Sequence, residues 1–98
     1  MADGVLPPAG PARRTFLIEA HPRGDAVLRV LGPFAVQGAD IVTIESEQTP
    51  ARTSIRIEAA GLDAGVAQQL ARRLRALPVV IGVGLNVNQV EMLGEAGS

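Results

Sequence analysis

Between Glu19 and Ile41 the spacing of apolar residues changes twice, and that double change limits the folds open to the chain. Before it, Phe16, Ile18 and Ala20 alternate with Leu17 and Glu19, the two-residue period of a strand over Thr15 to Ala20. Within it, Val27, Val30, Leu31 and Phe34 recur at helical spacing, with Leu28 and Ala35 at the edges of that face. After it, Ile41 and Thr43 alternate against Val42 and Ile44, and a second strand runs to Glu47. The joints are readable as well. Pro22 bars a central strand from continuing, Gly24 permits a tight turn, and Asp25 is placed to cap a helix from Ala26 to about Gln37. Gly38 is the left-handed stop of that helix. Gly32-Pro33 conflicts with the pattern, because Pro33 has no N–H for the carbonyl of Arg29, and a kink or a break into two short turns is expected there.

The rest of the chain repeats the scheme. Gln48 to Ala51 contains Pro50 and makes a turn short enough for an antiparallel hairpin. In Arg52 to Ala60, Thr53, Ile55, Ile57 and Ala59 face inward, while Ser54, Arg56 and Glu58 face outward. Asp63 caps a second helix whose buried face is Val66, Leu70, Leu74 and Leu77, supported by Ala67 and Ala71, and Pro78 ends it. Arg72, Arg73 and Arg75 lie near its C-terminal end, as a solvated face or as a docking patch for an acidic partner. In the last strand, Val79 to Val87, Gly82 and Gly84 share a face with Val80, which leaves one side nearly bare.

Strand, helix, strand, strand, helix, strand is the split βαβ pair. It predicts an α+β, ferredoxin-like βαββαβ fold: a four-stranded antiparallel sheet with both helices on one face. Leu17, Val42 or Thr43, Val80 and the glycines are expected on the other, uncovered face. Such a face favours a homodimer, by sheet stacking or by strand addition at an edge.

Size presses the same way. Ninety-eight residues make one domain, expected at 14–88 between a disordered leader (1–13) and a flexible tail (89–98). A domain this small buries only about 60% of its unfolded surface. With two phenylalanines, no other aromatic residue and no cysteine, its core is aliphatic and has neither disulfide nor thiolate metal site to support it.

Several functions are excluded. A net charge of −1 and central strands without aromatic platforms argue against nucleic acid as a partner. No apolar run approaches the ~20 residues that span a bilayer and no secretory signal is legible, so no membrane association and a cytoplasmic location are expected. His21 is the single histidine, with no serine or aspartate beside it in sequence, and the glycine-rich cradle that would make Arg23 a phosphate-holding catalytic residue is missing. The chain therefore reads as non-catalytic, with no cofactor and no metal. What it offers instead is the turn from His21 to Gly24 delivered onto the start of a helix, where free N–H groups and a partial positive charge hold small anions.

The run Arg29-Val30-Leu31-Gly32-Pro33-Phe34-Ala35-Val36-Gln37-Gly38-Ala39-Asp40-Ile41 resembles the first helix and second-strand start of ACT domains. It is most similar to the short, single-domain regulatory subunits of acetolactate synthase, and the likeness in element order covers Thr15 to about Val87. The resemblance implies a site at the first strand-to-helix loop for a branched-chain amino acid, set at a dimer interface. It also implies a thiamine-diphosphate-dependent large catalytic subunit as partner. The expected ligand-binding residues are His21, Pro22, Gly24, Asp25 and Ala26 from the loop and helix start, with Asp40 and Ile41 from the following strand of a second copy. Asp40 stands where the family has Asn and is the candidate for the ligand ammonium. Pro22 and Asp25 stand, without a gap, where the family has Asn and Gly. The resemblance thus implies a subunit that binds a branched-chain amino acid or has lost that binding. The alternatives are a free-standing amino-acid sensor and a structural dimerisation module without ligand.

Overall fold

A computed structural model of the chain describes residues 13–87. Six elements follow in order: β1 (Arg14–Ala20), α1 (Ala26–Gln37), β2 (Asp40–Gln48), β3 (Thr53–Ala60), α2 (Ala64–Arg75) and β4 (Val80–Val87). The strands form one antiparallel sheet in the order β2-β3-β1-β4, so β1 and β3 are central and β2 and β4 are edges. This is the ferredoxin-like arrangement expected from the element order. The leader and tail expected at 1–13 and 89–98 lie, Arg13 apart, outside the described residues.

The core lies between the sheet and the helix layer. Phe16 and Ile18 of β1 and Ile55, Ile57 and Ala59 of β3 meet Val30 and Phe34 of α1 and Ala67, Leu70, Ala71 and Leu74 of α2. The buried stripe of α1 is Ala26, Val30 and Phe34; Val27 and Leu31 flank it, Ala35 is exposed and Leu28 is 72% exposed. That face is rotated from the expected one because Ala26 wedges against Ala20 and Val79 in a small second cluster. On α2 the alanines Ala67 and Ala71 lie at the centre of the contact and Val66 only flanks it, while Leu77, expected on the helix, lies beyond its end at Arg75 and packs at the edge of the core. Small residues there let the helix sit close to the sheet.

Helix ends are set by different means. Gly38 stops α1 at φ 73°, in the left-handed region that glycine enters at no steric cost, and its N–H and that of Ala39 close on the carbonyls of Ala35 and Phe34. Asp63 caps α2 as expected, its Oδ1 accepting from the Val66 N–H at 2.8 Å. Pro33 does not break α1, which is helical throughout Ala26–Gln37.

Two bulges correct the simple alternation expected of the edge strands. Between Ile41 and Thr43 the β2 register shifts, so that Ile41 and Ile44 oppose the inward residues Ala59 and Ile57, while Thr43 opposes Glu58 on the open face. Between Glu19 and Ala20 the pairing with β4 shifts as well, because Ile81 is the extra residue. Val80 therefore packs on the core rather than lying on the open face, and Ile81 is 57% exposed.

The open face is also more polar than expected. Glu19, Glu45, Glu47, Glu58 and Arg56 occupy it with Leu17 and the glycines. Arg56 bridges Glu45 at 3.8 Å and Glu58 at 3.1 Å, Arg13 reaches Glu58 at 3.6 Å, and Thr43 Oγ1 donates to the same carboxylate at 3.3 Å. These contacts hold Glu58 at 9% exposure although it belongs to the outward row. A dry sheet-on-sheet stack would have to desolvate all of these charges, which disfavours that mode of pairing.

Candidate functional site: the first loop and the start of α1

The turn that delivers β1 into α1 is built from backbone hydrogen bonds. The His21 N–H donates to the Val79 carbonyl at 2.8 Å and ties the loop to the start of β4. The Arg23 N–H then donates to the His21 carbonyl at 2.8 Å, and the Ala26 N–H to the Arg23 carbonyl at 3.1 Å. His21, Pro22, Arg23 and Gly24 are exposed, Asp25 is half-buried, and Ala26 is fully buried as the seat of the helix. Gly24 needs no glycine for space, since a Cβ there meets nothing within 4 Å.

Asp25 does not perform the expected cap. It occupies the N-cap position at φ −99° and ψ 11°, close to helical backbone, and its side chain makes no cap hydrogen bond. The turn at Arg23–Ala26 holds it there, and a capping side chain ordinarily needs the extended backbone seen at Asp63. Its carboxylate instead accepts from Arg29 Nε at 2.6 Å, one helical turn on, and pairs with Arg23 Nε at 3.3 Å. The Arg29 hydrogen bond and the Arg23 charge, against a smaller opposing effect of desolvation, hold the Asp25 carboxyl below its ordinary value of 3.8. Its folded pKa is thus the lower one, so the stabilisation from this pairing is present above the unfolded value and is lost as pH falls below about 3.8. Carboxyl-carbon NMR titration is expected to place Asp25 below a free aspartate, and Arg29→Gln is expected to move it back up. An unchanged midpoint in that variant would refute the assignment.

The first turn of α1 therefore has no side-chain cap, and the acid at its mouth is engaged by two arginines. Both features suit a small carboxylate.

Asp40 and Ile41 lie elsewhere. Ala20, at the loop end of β1, pairs with Thr53, whereas Asp40 pairs with Ala60, seven residues farther along β3. At ~3.4 Å per residue this puts Asp40 about 24 Å away, at the opposite end of the sheet. Asp40 is exposed and Ile41 packs against the core. One chain alone does not bring the two halves of the predicted site together.

A hollow of about 320 Å³ lies on the open face instead, lined by Leu17, Glu19, Glu45, Glu47, Ser54 and Arg56. No sequence signal pointed there, since its residues come from three strands and read singly as outward positions. The bare strip of β4 is open: Gly82 opposes Glu19 and Gly84 opposes Leu17, and a Cβ meets nothing at the first and only the Leu17 carbonyl, at 4.0 Å, at the second. Among the described residues no cluster of His, Cys, Asp and Glu has the makings of a metal site, and no helix is long and apolar enough to cross a membrane.

No protein-family model matches the chain, and no curated protein matches it in sequence. Solved structures do match. The ACT domain of GTP pyrophosphokinase from Chlorobium tepidum superposes with a TM-score of 0.69 at 13% identity, over 78% of this chain and 99% of that one. Its solution structure gives 0.66 at 14% identity, over 76% and 84%. The C-terminal domain of the MgtC protein from Mycobacterium tuberculosis gives 0.62 at 13% identity, over 84% and 93%. The chain thus has the fold of an ACT domain. That fold serves proteins of different names, so its role here has to be argued from residues.

Proposed function

We propose that this chain is a non-catalytic regulatory domain of ACT type. It works as a homodimer and takes a small amino acid at the start of α1. The observation that carries the reading is the separation of Asp40 from the loop. Among the described residues no strand pairs with the outer edge of β2, which runs from Asp40 at one end of the sheet to Gln48 at the loop end. Antiparallel pairing of β2 with the β2 of a second copy, about a two-fold axis, sets each Asp40 beside the loop end of the other chain. Each site then has helix amides for a carboxylate and the partner copy's carboxylate for an ammonium. Val42 and Ile44, about 40% and 41% exposed on that edge, add apolar area to the pairing.

The finer reading follows the resemblance: a short subunit that modulates the large catalytic subunit of an acetolactate synthase, with a branched-chain amino acid as the candidate ligand. Light scattering at micromolar concentration is expected to give a dimer. The protein alone is expected to show no turnover, and added to the large subunit it is expected to change either activity or feedback inhibition. A monomer removes the shared site. A mixed assay that leaves both activity and inhibition unchanged removes this partner.

A further inference from the structure

Among the described residues, Thr53 is the one buried polar side chain near the candidate site whose hydroxyl the fold leaves without a partner. It opens β3, and the register sets it beside Ala20 on one side and Gln48 on the other. It continues the inward row of Ile55, Ile57 and Ala59, so its side chain faces the helix layer, and it is only 2% exposed. Its hydroxyl has no hydrogen-bond partner among the described residues. A buried hydroxyl left in that state loses its water and gains nothing in return, so valine would serve the apo protein better.

Its position gives the hydroxyl a use. Ala20, its neighbour across the ladder, packs against Ala26, the first residue of α1. Thr53 therefore stands on the sheet face and at the sheet end where α1 begins, and that helix start has no side-chain cap. An uncapped helix start and an orphaned hydroxyl thus belong to the same end of the helix-covered sheet face.

We propose that the Thr53 hydroxyl is a ligand contact, donating to the carboxylate whose charge the first turn of α1 also receives. This deepens the ligand-site reading and rests on it. A hydroxyl donor and backbone amides together select an acceptor-only group, so the class is a small carboxylate-bearing molecule, such as an amino acid. The burial of Thr53 requires the carboxylate to enter between α1 and the end of the sheet, rather than to rest on the exposed loop.

The test uses Thr53→Val and Thr53→Ser in the full chain, with thermal melting in the absence of ligand. It adds calorimetric titration with L-valine, L-leucine and L-isoleucine. Thr53→Val is expected to melt higher than wild type without ligand and to bind the amino acid that wild type binds about 10- to 100-fold more weakly. Thr53→Ser is expected to keep most of the affinity. Wild-type binding that Thr53→Val leaves unchanged overturns the role of Thr53 and spares the site. A lower apo melting temperature in Thr53→Val also overturns it, because the hydroxyl is then satisfied within the fold. Wild type silent with all three amino acids overturns the ligand-site reading, and the Thr53 contact with it.

Discussion

Phe34→Ala is expected to cost about 3–5 kcal/mol, about half of the stability a domain of this size has. Phe34 and Phe16 are both fully buried, and their rings meet edge to face with centroids 5.0 Å apart at 83°. That geometry adds roughly 0.5–1.5 kcal/mol beyond burial. They are the only aromatic side chains in the sequence, so no other ring fills the space between β1 and α1. Domains of this size are stable by only ~5–10 kcal/mol, which makes such a loss close to decisive. Urea unfolding followed by circular dichroism measures it, with Phe34→Leu as the volume-sparing control, expected to lose about 1.5 kcal/mol or less. If Phe34→Ala unfolds at the wild-type midpoint, the packing of α1 on the sheet is wrongly assigned.

The second large effect has the opposite sign. Pro33 lies well inside α1 and leaves the Arg29 carbonyl without its helical donor, yet the helix continues past it. In a neutral host such a proline costs ~3 kcal/mol relative to alanine. Pro33→Ala is therefore expected to stabilise the domain by about 1–3 kcal/mol, read as a higher urea midpoint at unchanged slope. Gly32→Ala meets nothing within 4 Å and is expected to add up to ~1 kcal/mol. A destabilised Pro33→Ala would mean that the half-buried ring supplies packing worth more than the lost hydrogen bond. Of the two outcomes expected at Gly32-Pro33, a kink or a break into two short turns, the continuity of α1 removes the break. Local propensity opposes helix at Gly32-Pro33, and burial of Val30 and Phe34 on either side overrides it.

Much of the fold was legible because the apolar spacing is unambiguous. Ile55, Ile57 and Ala59 alternate with polar residues, Leu70 and Leu74 recur at helical spacing, and Gly38 and Asp63 mark real helix ends. The bulges at Val42 and Ile81 were not legible. Each inserts a residue that carries no turn chemistry of its own, so only pairing with a neighbouring strand reveals it. The charge of the open face was in plain view as Glu45, Glu58 and Arg56, but strand order was needed to see these residues as one network. In the candidate site, Asp25 was read as a cap on residue preference alone. The competing signal was present in the sequence, since Asp25 and Arg29 are four apart on a helix face, the spacing of an ion pair. The unsatisfied hydroxyl of Thr53 had no sequence signature, because threonine at an inward strand position is ordinary until its surroundings are known.

The two bulges bear on how large an assembly can grow. A sheet with two regular, exposed edges can add copies at both ends without limit, which is the geometry of a fibre. Here β2 is regular only from Thr43 to Gln48, and β4 is interrupted at its start by Ile81. The run on β2 is long enough to register one partner strand, while the glycine-rich β4, kinked at the other border, is a poor template. With β2 paired to a second copy as proposed, the described strands offer no edge of equal quality for a third.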